Sequence, residues 1–301
     1  MLWSLNGIDF NNFKDALINI PLKWIFASMC LGYLAFIFRA LRWKLLIQPL
    51  GFQPKVSNLV HSIAFGYLFN SFIPRSGEII RCTALNKVTQ IPTSKLLGHV
   101  LLERIIDFVI LTTLFIVSFI FNYKSLFSFF GDINLPQNLI TYLFFFLVLM
   151  LFIYFVISRF ANSTYIQKII NFIIGIKQGF LSLKNVKNKF LFWLYTILIW
   201  VCYLFMTIIC FLCFFETSSL SILEGLFVMV AGGLGMVVPT PTGIGSYHYF
   251  VIKALTSFNI SLEISQFFAI IVHTSQALMI IVMGAVAMWV LYRQKLFTRD
   301  E

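Results

Sequence analysis

The sequence predicts an all-α fold: a polytopic membrane helical bundle with two re-entrant, proline-broken helical hairpins arranged as an inverted repeat. Of its 301 residues, 60% are hydrophobic and only 11% are charged, whereas roughly a quarter of the residues in soluble domains are charged. Charge-free runs at 139–157, 190–215 and 264–292 approach or exceed the roughly 20 residues that cross a bilayer. Two further apolar stretches, 56–85 and 220–258, are each interrupted by proline and glycine.

Five membrane spans and one surface helix are expected along the chain. The first span contains a charge-free stretch, 24–38, that is too short to cross alone. It is expected to continue as helix through Arg39, Arg42 and Lys44, whose long side chains then extend to the lipid headgroups. Apolar residues at helical spacing between two lysines predict a helix over 166–181 that lies along the interface. The five spans are expected near 16–47, 97–121, 139–157, 190–215 and 264–292.

The two interrupted stretches are predicted to form helical hairpins. The first is broken by "FNSFIPRSGEIIR" (69–81) and the second by "MVVPTPTGIGSYHYF" (236–250). Proline ends the first arm of each because it cannot continue the helical hydrogen-bond ladder. Non-helical backbone at membrane depth is tolerated only where it is buried in protein or lines a water-filled cavity. Each stretch is therefore expected to dip into the membrane and return, the alternative being a kinked span or an amphipathic surface helix.

The distribution of basic residues favours the re-entrant arrangement. It places residues 39–95, residues 159–189 and the tail after 292 on one side, with 17 basic residues against four on the other. Lysine and arginine collect in cytoplasmic loops, so the C-terminus is expected to be cytoplasmic in a cell (inner) membrane. Spanning hairpins would instead place the 159–189 cluster opposite the 39–95 cluster. The net charge of +11 is thereby explained without a nucleic-acid partner.

This topology predicts a single integral membrane domain, 1–301, built from two half-repeats at about 16–121 and 190–292. The extra span at 139–157 and the surface helix at 166–181 link them, so that the second half enters from the opposite face. Gly66 precedes Pro74 by eight residues, and Gly233 precedes Pro241 by the same number. Paired interruptions in corresponding positions of two halves indicate a binding site near the bilayer midplane.

The hairpin tips are the predicted binding site for a phosphate. A helix that begins at a tip exposes unpaired N–H groups and the positive end of its dipole, which attract anions. Ser76 is expected to cap the second arm at the first tip, where Arg75 and Arg81 add positive charge, and Thr242 is expected to cap at the second tip. The candidate lipid- or phosphate-binding residues are Arg75, Ser76, Gly77, Glu78, Arg81, Thr242, Gly243, Gly245 and His248.

A third element, "HVLLERIIDF" (99–108), places ionisable residues inside the membrane. Glu103 and Asp107 share a helix face, and Arg104 reaches Asp107 across three residues. Such groups are expensive in lipid and face a bundle interior or a wet path. They form either an ion-pair network that holds Arg75 and Arg81 or part of the lipid path, and the two roles are compatible. Neither a metal nor a cofactor is expected.

Four motifs in this order resemble the lysylphosphatidylglycerol synthase transmembrane family, the flippase-like integral membrane domain. They are "RALRWKLLI" (39–47), "FIPRSGEIIR" (72–81), "LLERIIDF" (101–108) and "PTPTGIGSYH" (239–248). The resemblance implies a protein that translocates or handles anionic lipids or polyprenyl-linked carriers. The aminoacyl-transfer domain of some relatives is not found in the sequence, which implies that lipid aminoacylation is absent.

Two departures from the family pattern stand out. Many relatives carry a glutamate where His248 stands, so the protonation chemistry of the second tip is expected to differ. Relatives also open with a further membrane helix, which here is reduced to "MLWSLNG". We therefore expect the gene to extend upstream by about twenty apolar residues, the length of one span.

The sequence thus favours a non-enzymatic lipid translocase or lipid-handling protein that recognises the headgroup of a phospholipid or polyprenyl phosphate. One alternative is an intramembrane enzyme that acts on a phospholipid headgroup with Glu78, Glu103 or Asp107 as acid and base. Another is a scaffold for a separately encoded, lipid-modifying enzyme. The sequence leaves the lipid, the energy source and the oligomeric state open.

Overall fold

The computed structural model describes residues 10–122, 129 and 164–297, and within them the regular structure is entirely helical. The predicted all-α membrane bundle is confirmed. In chain order the helices are α1 (Phe10–Asn19), α2 (Leu22–Ile47), α3 (Val56–Asn70), α4 (Gly77–Thr89), α5 (Thr93–Phe121), α6 (Thr164–Leu181), α7 (Lys189–Phe211), α8 (Ile222–Val237), α9 (Ser246–Thr256) and α10 (Leu262–Phe297).

Three helices among the described residues are long and apolar enough to cross a membrane: α2, α7 and α10. They correspond to the spans expected near 16–47, 190–215 and 264–292, although Pro21 separates α1 from α2. Proline has no N–H for a helical bond, so a helix begins at or just after it. Helices also occupy the segments expected at 97–121 and 166–181. The span expected at 139–157 lies outside the described residues.

The interior is organised around the two broken segments. Helix α2 packs against α7, and α10 packs against α3. One apolar cluster surrounds the first broken segment and includes Trp43, Leu59 and Leu85. A second cluster surrounds the other broken segment and includes Phe227 and Phe268. The arms of each broken segment are therefore packed against protein, whereas the breaks themselves, 72–75 and 236–241, are largely exposed.

Each broken segment forms a pair of helices that pack against each other, α3 with α4 and α8 with α9. The arms contain 15, 13, 16 and 11 residues, fewer than the roughly 20 that cross a bilayer alone. In the first pair the arms touch backbone to backbone, because a Cβ on Gly66 would lie 2.6 Å from the carbonyl oxygen of Gly77.

The two halves share a glycine–proline spacing, but the two glycines that share it make different contacts. A Cβ on Gly233, which matches Gly66 in spacing, would meet the side chain of Leu111 on α5 at 3.1 Å. The close approach of α8 to α9 occurs instead at Gly235, where a Cβ would lie 2.7 Å from the Cα of Tyr247. The close backbone contact of the second pair of arms therefore lies at Gly235, two residues after the glycine that matches Gly66 in spacing.

The two tips lie against each other. Arg75, at the first tip, has a left-handed backbone with φ of 64°, which is uncommon for a residue other than glycine. Its guanidinium donates a hydrogen bond to the carbonyl oxygen of Val237, the last residue of α8. Residues from the two halves of the chain, 162 positions apart, therefore meet at one place.

Candidate functional site

Five charged side chains are buried among the described residues, and they form one cluster between α2, α4 and α5. We call Arg39, Arg42, Arg81, Glu103 and Asp107 the buried charge cluster. The side chains of Arg42 and Glu103 are 0% exposed. Charges are seldom buried in protein unless they are paired, so the pairing within this cluster determines what the site can do.

Glu103 on α5 lies between two guanidiniums. Arg81 Nη2 is 2.6 Å from Glu103 Oε2, and Arg42 Nε is 3.8 Å from Glu103 Oε1. The Arg81 guanidinium also lies over the ring of Trp43, 4.8 Å from its centroid. Arg81 is thus fixed on α4 by a charge-assisted hydrogen bond and by the face of an aromatic ring.

Asp107, one turn further along α5, lies between Arg39 and Arg42, so that Arg42 contacts both acids. Arg42 Nη1 is 2.9 Å from Asp107 Oδ1, and Arg39 Nη1 is 3.3 Å from Asp107 Oδ2. Arg39 Nε donates a further hydrogen bond to Tyr203 Oη on α7, at 2.9 Å. These contacts join α2, α5 and α7, which are far apart in the chain.

The expectation that Arg39 and Arg42 extend to the lipid headgroups is wrong. Both side chains point inwards, because they continue the buried stripe of α2 that contains Gly32, Ala35 and Phe36. The two arginines are three residues apart and so share that face. This spacing is the sequence signal that predicts their burial, once two acids on another helix are available as partners.

The buried charge cluster carries one positive charge in excess, since three guanidiniums face two carboxylates. Beside it, the half-exposed Arg104 pairs with Glu78 at 3.3 Å and approaches Asp107 at 3.8 Å, so that this outer pair is neutral. The acids therefore hold Arg81 as an ion-pair network would. They do not hold Arg75, which is exposed at the tip.

A small cavity opens beside the cluster, between the arms of the first hairpin and α5. It is lined by Gly66, Asn70, Gly77, Glu78, Arg81 and Arg104, among others. Its volume is about 10 Å³, on the scale of a single water molecule. Several buried polar atoms at the cluster lack a hydrogen-bond partner: Arg42 Nε, Arg81 Nε, Glu103 Oε1 and both ring nitrogens of His99. Unused hydrogen-bonding capacity of this kind is rare in folded interiors.

The first tip is capped differently from the prediction. Ser76 does not cap α4, because its hydroxyl donates to the carbonyl oxygen of Ile73 at 2.8 Å. The N–H of Gly77 donates instead to Asn70 Oδ1, at 2.7 Å. Asn70 ends the preceding arm, and it reaches Gly77 only because the hairpin folds back on itself. Local capping rules could not have found it.

The prediction that Thr242 caps the second arm is also wrong. The Thr242 hydroxyl donates to the carbonyl oxygen of Pro241 within a 3₁₀ turn, Pro241–Gly243. Helix α9 begins four residues later, at Ser246, and Gly245 precedes it with φ of 87°. Glycine alone adopts that backbone without strain. The turn therefore places the start of α9 beyond Gly243 and Gly245.

Two histidines meet behind the second tip. His248 Nδ1 accepts a hydrogen bond from the Gly245 N–H at 3.3 Å. His273 Nε2, on α10, lies 2.9 Å from the carbonyl oxygen of Thr242. The two imidazole centroids are 4.7 Å apart, although the residues are 25 positions apart in the chain. No group of three or more metal-ligating side chains is found in the part of the chain that the structure describes.

The predicted site residues therefore fall into two groups. Gly77, Glu78 and Arg81 lie with Glu103, Arg104 and Asp107 around the cavity of the first hairpin. Thr242, Gly243, Gly245 and His248 lie at the second tip, against His273. Arg75 connects the two groups through its bond to Val237.

Comparisons with known proteins agree with the motifs. A family model described as the lysylphosphatidylglycerol synthase TM region matches residues 1–284. A UPF0104 membrane protein of Methanocaldococcus jannaschii is 22% identical over 318 residues, which cover 95% of this chain and 90% of that protein. No solved structure matches the chain. The match spans every motif on which the resemblance rests, and the resemblance is confirmed.

Proposed function

This chain belongs to the lysylphosphatidylglycerol synthase TM region family, and we propose that it binds the phosphate headgroup of an anionic lipid and moves that lipid through the bilayer. The single observation that carries the proposal is the positive charge in excess in the buried charge cluster. An unpaired buried charge costs several kcal/mol. A lipid phosphate beside the cluster would supply the missing negative charge.

The residues around the cavity suit a phosphate. Arg81 and Arg104 both line it, and guanidinium binds phosphate in a planar, bidentate manner that ammonium cannot reproduce. The outer pair, Arg104 and Glu78, is half-exposed and so can exchange Glu78 for a phosphate at little cost. The cavity holds about one water molecule in this conformation, so the site must widen before a headgroup enters.

The enzymatic alternative is less well supported by the geometry. Glu103 and Asp107 each lie against two guanidiniums, which stabilise the ionised carboxylates. A carboxylate held in this way is a poor proton donor and a weak base. Contacts of this type position a charged ligand, as a transport site requires. The meeting of the two tips at Arg75 and Val237 further supports a role for both hairpins in one process.

We also propose that both hairpins return to their side of entry, with the C-terminus cytoplasmic. The arms α3 and α4 support this topology because each is too short to cross a bilayer alone. Cysteines introduced at the exposed Lys55 and Lys87, which lie at the two ends of the first hairpin away from its tip, should be labelled by a membrane-impermeant maleimide from the same side. A cysteine at the exposed Lys14 should be labelled from the other side, and the unmodified protein measures background from the native thiols. Labelling of Lys55 and Lys87 positions from opposite faces would disprove the re-entrant hairpin.

Lipid retention tests the proposed function directly. Native mass spectrometry of the purified protein should show a bound anionic lipid, and Arg104→Ala should lower its occupancy. Loss of one hydrogen bond to a charged group costs about 1.5–3 kcal/mol, which corresponds to roughly tenfold or more in affinity. Arg75→Ala is expected to act in the same direction, because that guanidinium is exposed and bonds only a backbone carbonyl among the described contacts.

Lys87→Ala is the matched control, since it removes one exposed positive charge from the same hairpin, away from the tip. It should retain the wild-type lipid content. Equal lipid occupancy in Arg104→Ala, Arg75→Ala and Lys87→Ala would overturn the headgroup site.

Movement of the lipid between leaflets is tested in vesicles with a fluorescent anionic lipid and a zwitterionic one. A protein that binds the anionic lipid without moving it would favour the scaffold alternative.

A further inference from the structure

The second hairpin carries a titratable pair where the first carries a fixed charge. His248 follows Pro241 by seven residues, and Arg81 follows Pro74 by seven. Arg81 pairs with Glu103 on the long helix that follows its hairpin. His248 likewise contacts His273 on the long helix that follows its own, and the two imidazoles are only 6% and 9% exposed.

The hydrogen bonds fix the tautomer of each ring. Gly245 donates its N–H to His248 Nδ1, so the proton of neutral His248 is on Nε2. The carbonyl of Thr242 can only accept, so His273 donates from Nε2 and its Nδ1 is a free base. A single proton can therefore be added at His273 Nδ1 without breaking either bond. Addition at His248 Nδ1 would break the bond to Gly245.

The surroundings make this extra proton dependent on an anion. His248 is the third residue of α9, where the positive end of the helix dipole disfavours a cation. Neither imidazole forms a salt bridge to a carboxylate within the described residues. A buried imidazolium at this place is costly unless a negative charge lies beside it.

The titratable and charged groups of the neighbouring helices do not supply that negative charge. The ring of Tyr247 is 5.1 Å from that of His273, and Cys210 on α7 lies near Tyr247. Arg75 reaches the tip at Val237 and adds positive charge. Lys253 lies further along α9, over the ring of Tyr249. The acids of α8 and α10 lie near the starts of their helices, which places Glu224 roughly 20 Å and Glu263 roughly 15 Å from the tip at 1.5 Å per residue.

From this geometry we propose that the His248–His273 pair takes up one proton when the anionic headgroup reaches the second tip, so that lipid movement is coupled to proton movement. The inference rests on the proposed function, since it needs a headgroup at this place. A proton from water on one side binds the lone pair of His273 Nδ1 while the phosphate lies beside the ring. When the site opens to the other side, that N–H bond breaks, the proton returns to water and the phosphate leaves, and no bond of the lipid is made or broken. Coupling of two ligands is reciprocal, so protonation must also strengthen headgroup binding.

The test uses the full chain in vesicles with an imposed pH gradient of one unit. The vesicles contain a fluorescent phosphatidylglycerol and a fluorescent short-chain polyprenyl phosphate, and leaflet distribution is read by quenching from outside. One coupled proton should concentrate the transported probe in the leaflet facing the more alkaline side, by up to about tenfold per pH unit. Protein-free vesicles give the passive distribution.

Two substitutions keep the hydrogen bonds of the pair, and one of them, His273→Gln, also removes the atom that takes up the proton. In His273→Gln the amide can still donate to the Thr242 carbonyl, and in His248→Asn the amide oxygen can still accept from the Gly245 N–H. His273→Gln lacks the protonatable Nδ1. It should move the probe more slowly than wild type, because the positive charge that strengthens headgroup binding is lost, and it should distribute the probe evenly whatever the gradient. His248→Asn keeps His273 and should still concentrate the probe on the alkaline side. If His273→Gln fails to fold, the response of the wild-type protein to the gradient decides the question.

The outcomes separate the two proposals. Wild-type protein that moves a probe without responding to the gradient, or a folded His273→Gln variant that responds as wild type does, would overturn proton coupling and leave the lipid function intact. Wild-type protein that moves neither probe at any pH would overturn the proposed function, and proton coupling with it.

Discussion

Glu103→Gln is expected to prevent the protein from folding to a stable, monodisperse state in detergent. Glu103 is 0% exposed and faces both Arg81 and Arg42, so the substitution leaves two buried positive charges in excess where there was one. Removal of one partner from a buried ion pair costs about 3–5 kcal/mol, which is a large part of the stability of most domains. The measurement is the thermal midpoint and the yield by size-exclusion chromatography.

A matched control and a compensating variant make this result specific. Glu78→Gln removes the same charge from the half-exposed pair with Arg104 and should cost no more than about 1 kcal/mol. The double variant Glu103→Gln/Arg81→Met restores the wild-type charge excess and should recover part of the stability, which a double-mutant cycle measures. A Glu103→Gln protein with the wild-type thermal midpoint would show that the cluster is hydrated and does not need its acid.

Gly77→Ala is expected to force the arms of the first hairpin apart. A Cβ on Gly77 would fall within contact distance of the carbonyl oxygen of Gly66 and lie 2.7 Å from the side-chain atoms of Asn70, which also accepts the Gly77 N–H. Overpacking of this kind costs about 1–3 kcal/mol. Because Gly77 lines the cavity, the anionic lipid that we propose binds there should be lost as well. Thermal midpoint and native mass spectrometry are the two measurements.

Ser76→Ala is the control for this substitution, since Ser76 is the adjacent residue and its hydroxyl bonds only backbone carbonyls. It should retain both the stability and the lipid. If Gly77→Ala matched Ser76→Ala in both measurements, the close contact of the arms would be unimportant for the site.

The positions of the helices could be predicted from the sequence because bilayer thickness fixes how long an apolar run must be. Helices α5, α7 and α10 therefore lie where hydropathy places them, and proline locates both breaks. The direction of Arg39 and Arg42 could not be predicted in the same way. Hydropathy treats charged residues near the end of a span as surface groups. The partner of both arginines, Asp107, lies 68 residues from Arg39 and 65 residues from Arg42 in the chain.

The details of the tips could not be predicted because they depend on contacts between arms. Capping rules assume that a helix begins next to its cap, yet α9 begins four residues after Thr242. The contact between His248 and His273 depends on how α9 packs against α10, which no local pattern encodes. Glu103, Arg104 and Asp107 could be grouped from the sequence because all three lie on one helix, where spacing alone determines which side chains are neighbours.

The backbone contact between Gly66 and Gly77 has a mechanical consequence. Arms that touch without intervening side chains cannot slide or separate without losing that contact, so α3 and α4 must rotate together as one rigid body. The hairpin is flanked by two residues with left-handed backbone, Gly51 with φ of 86° and Gln90 with φ of 58°. Short segments of this kind at the ends of helices absorb the dihedral changes of a hinge. We therefore expect the cavity to widen where α4 faces α5, through a tilt of the whole hairpin about Gly51 and Gln90.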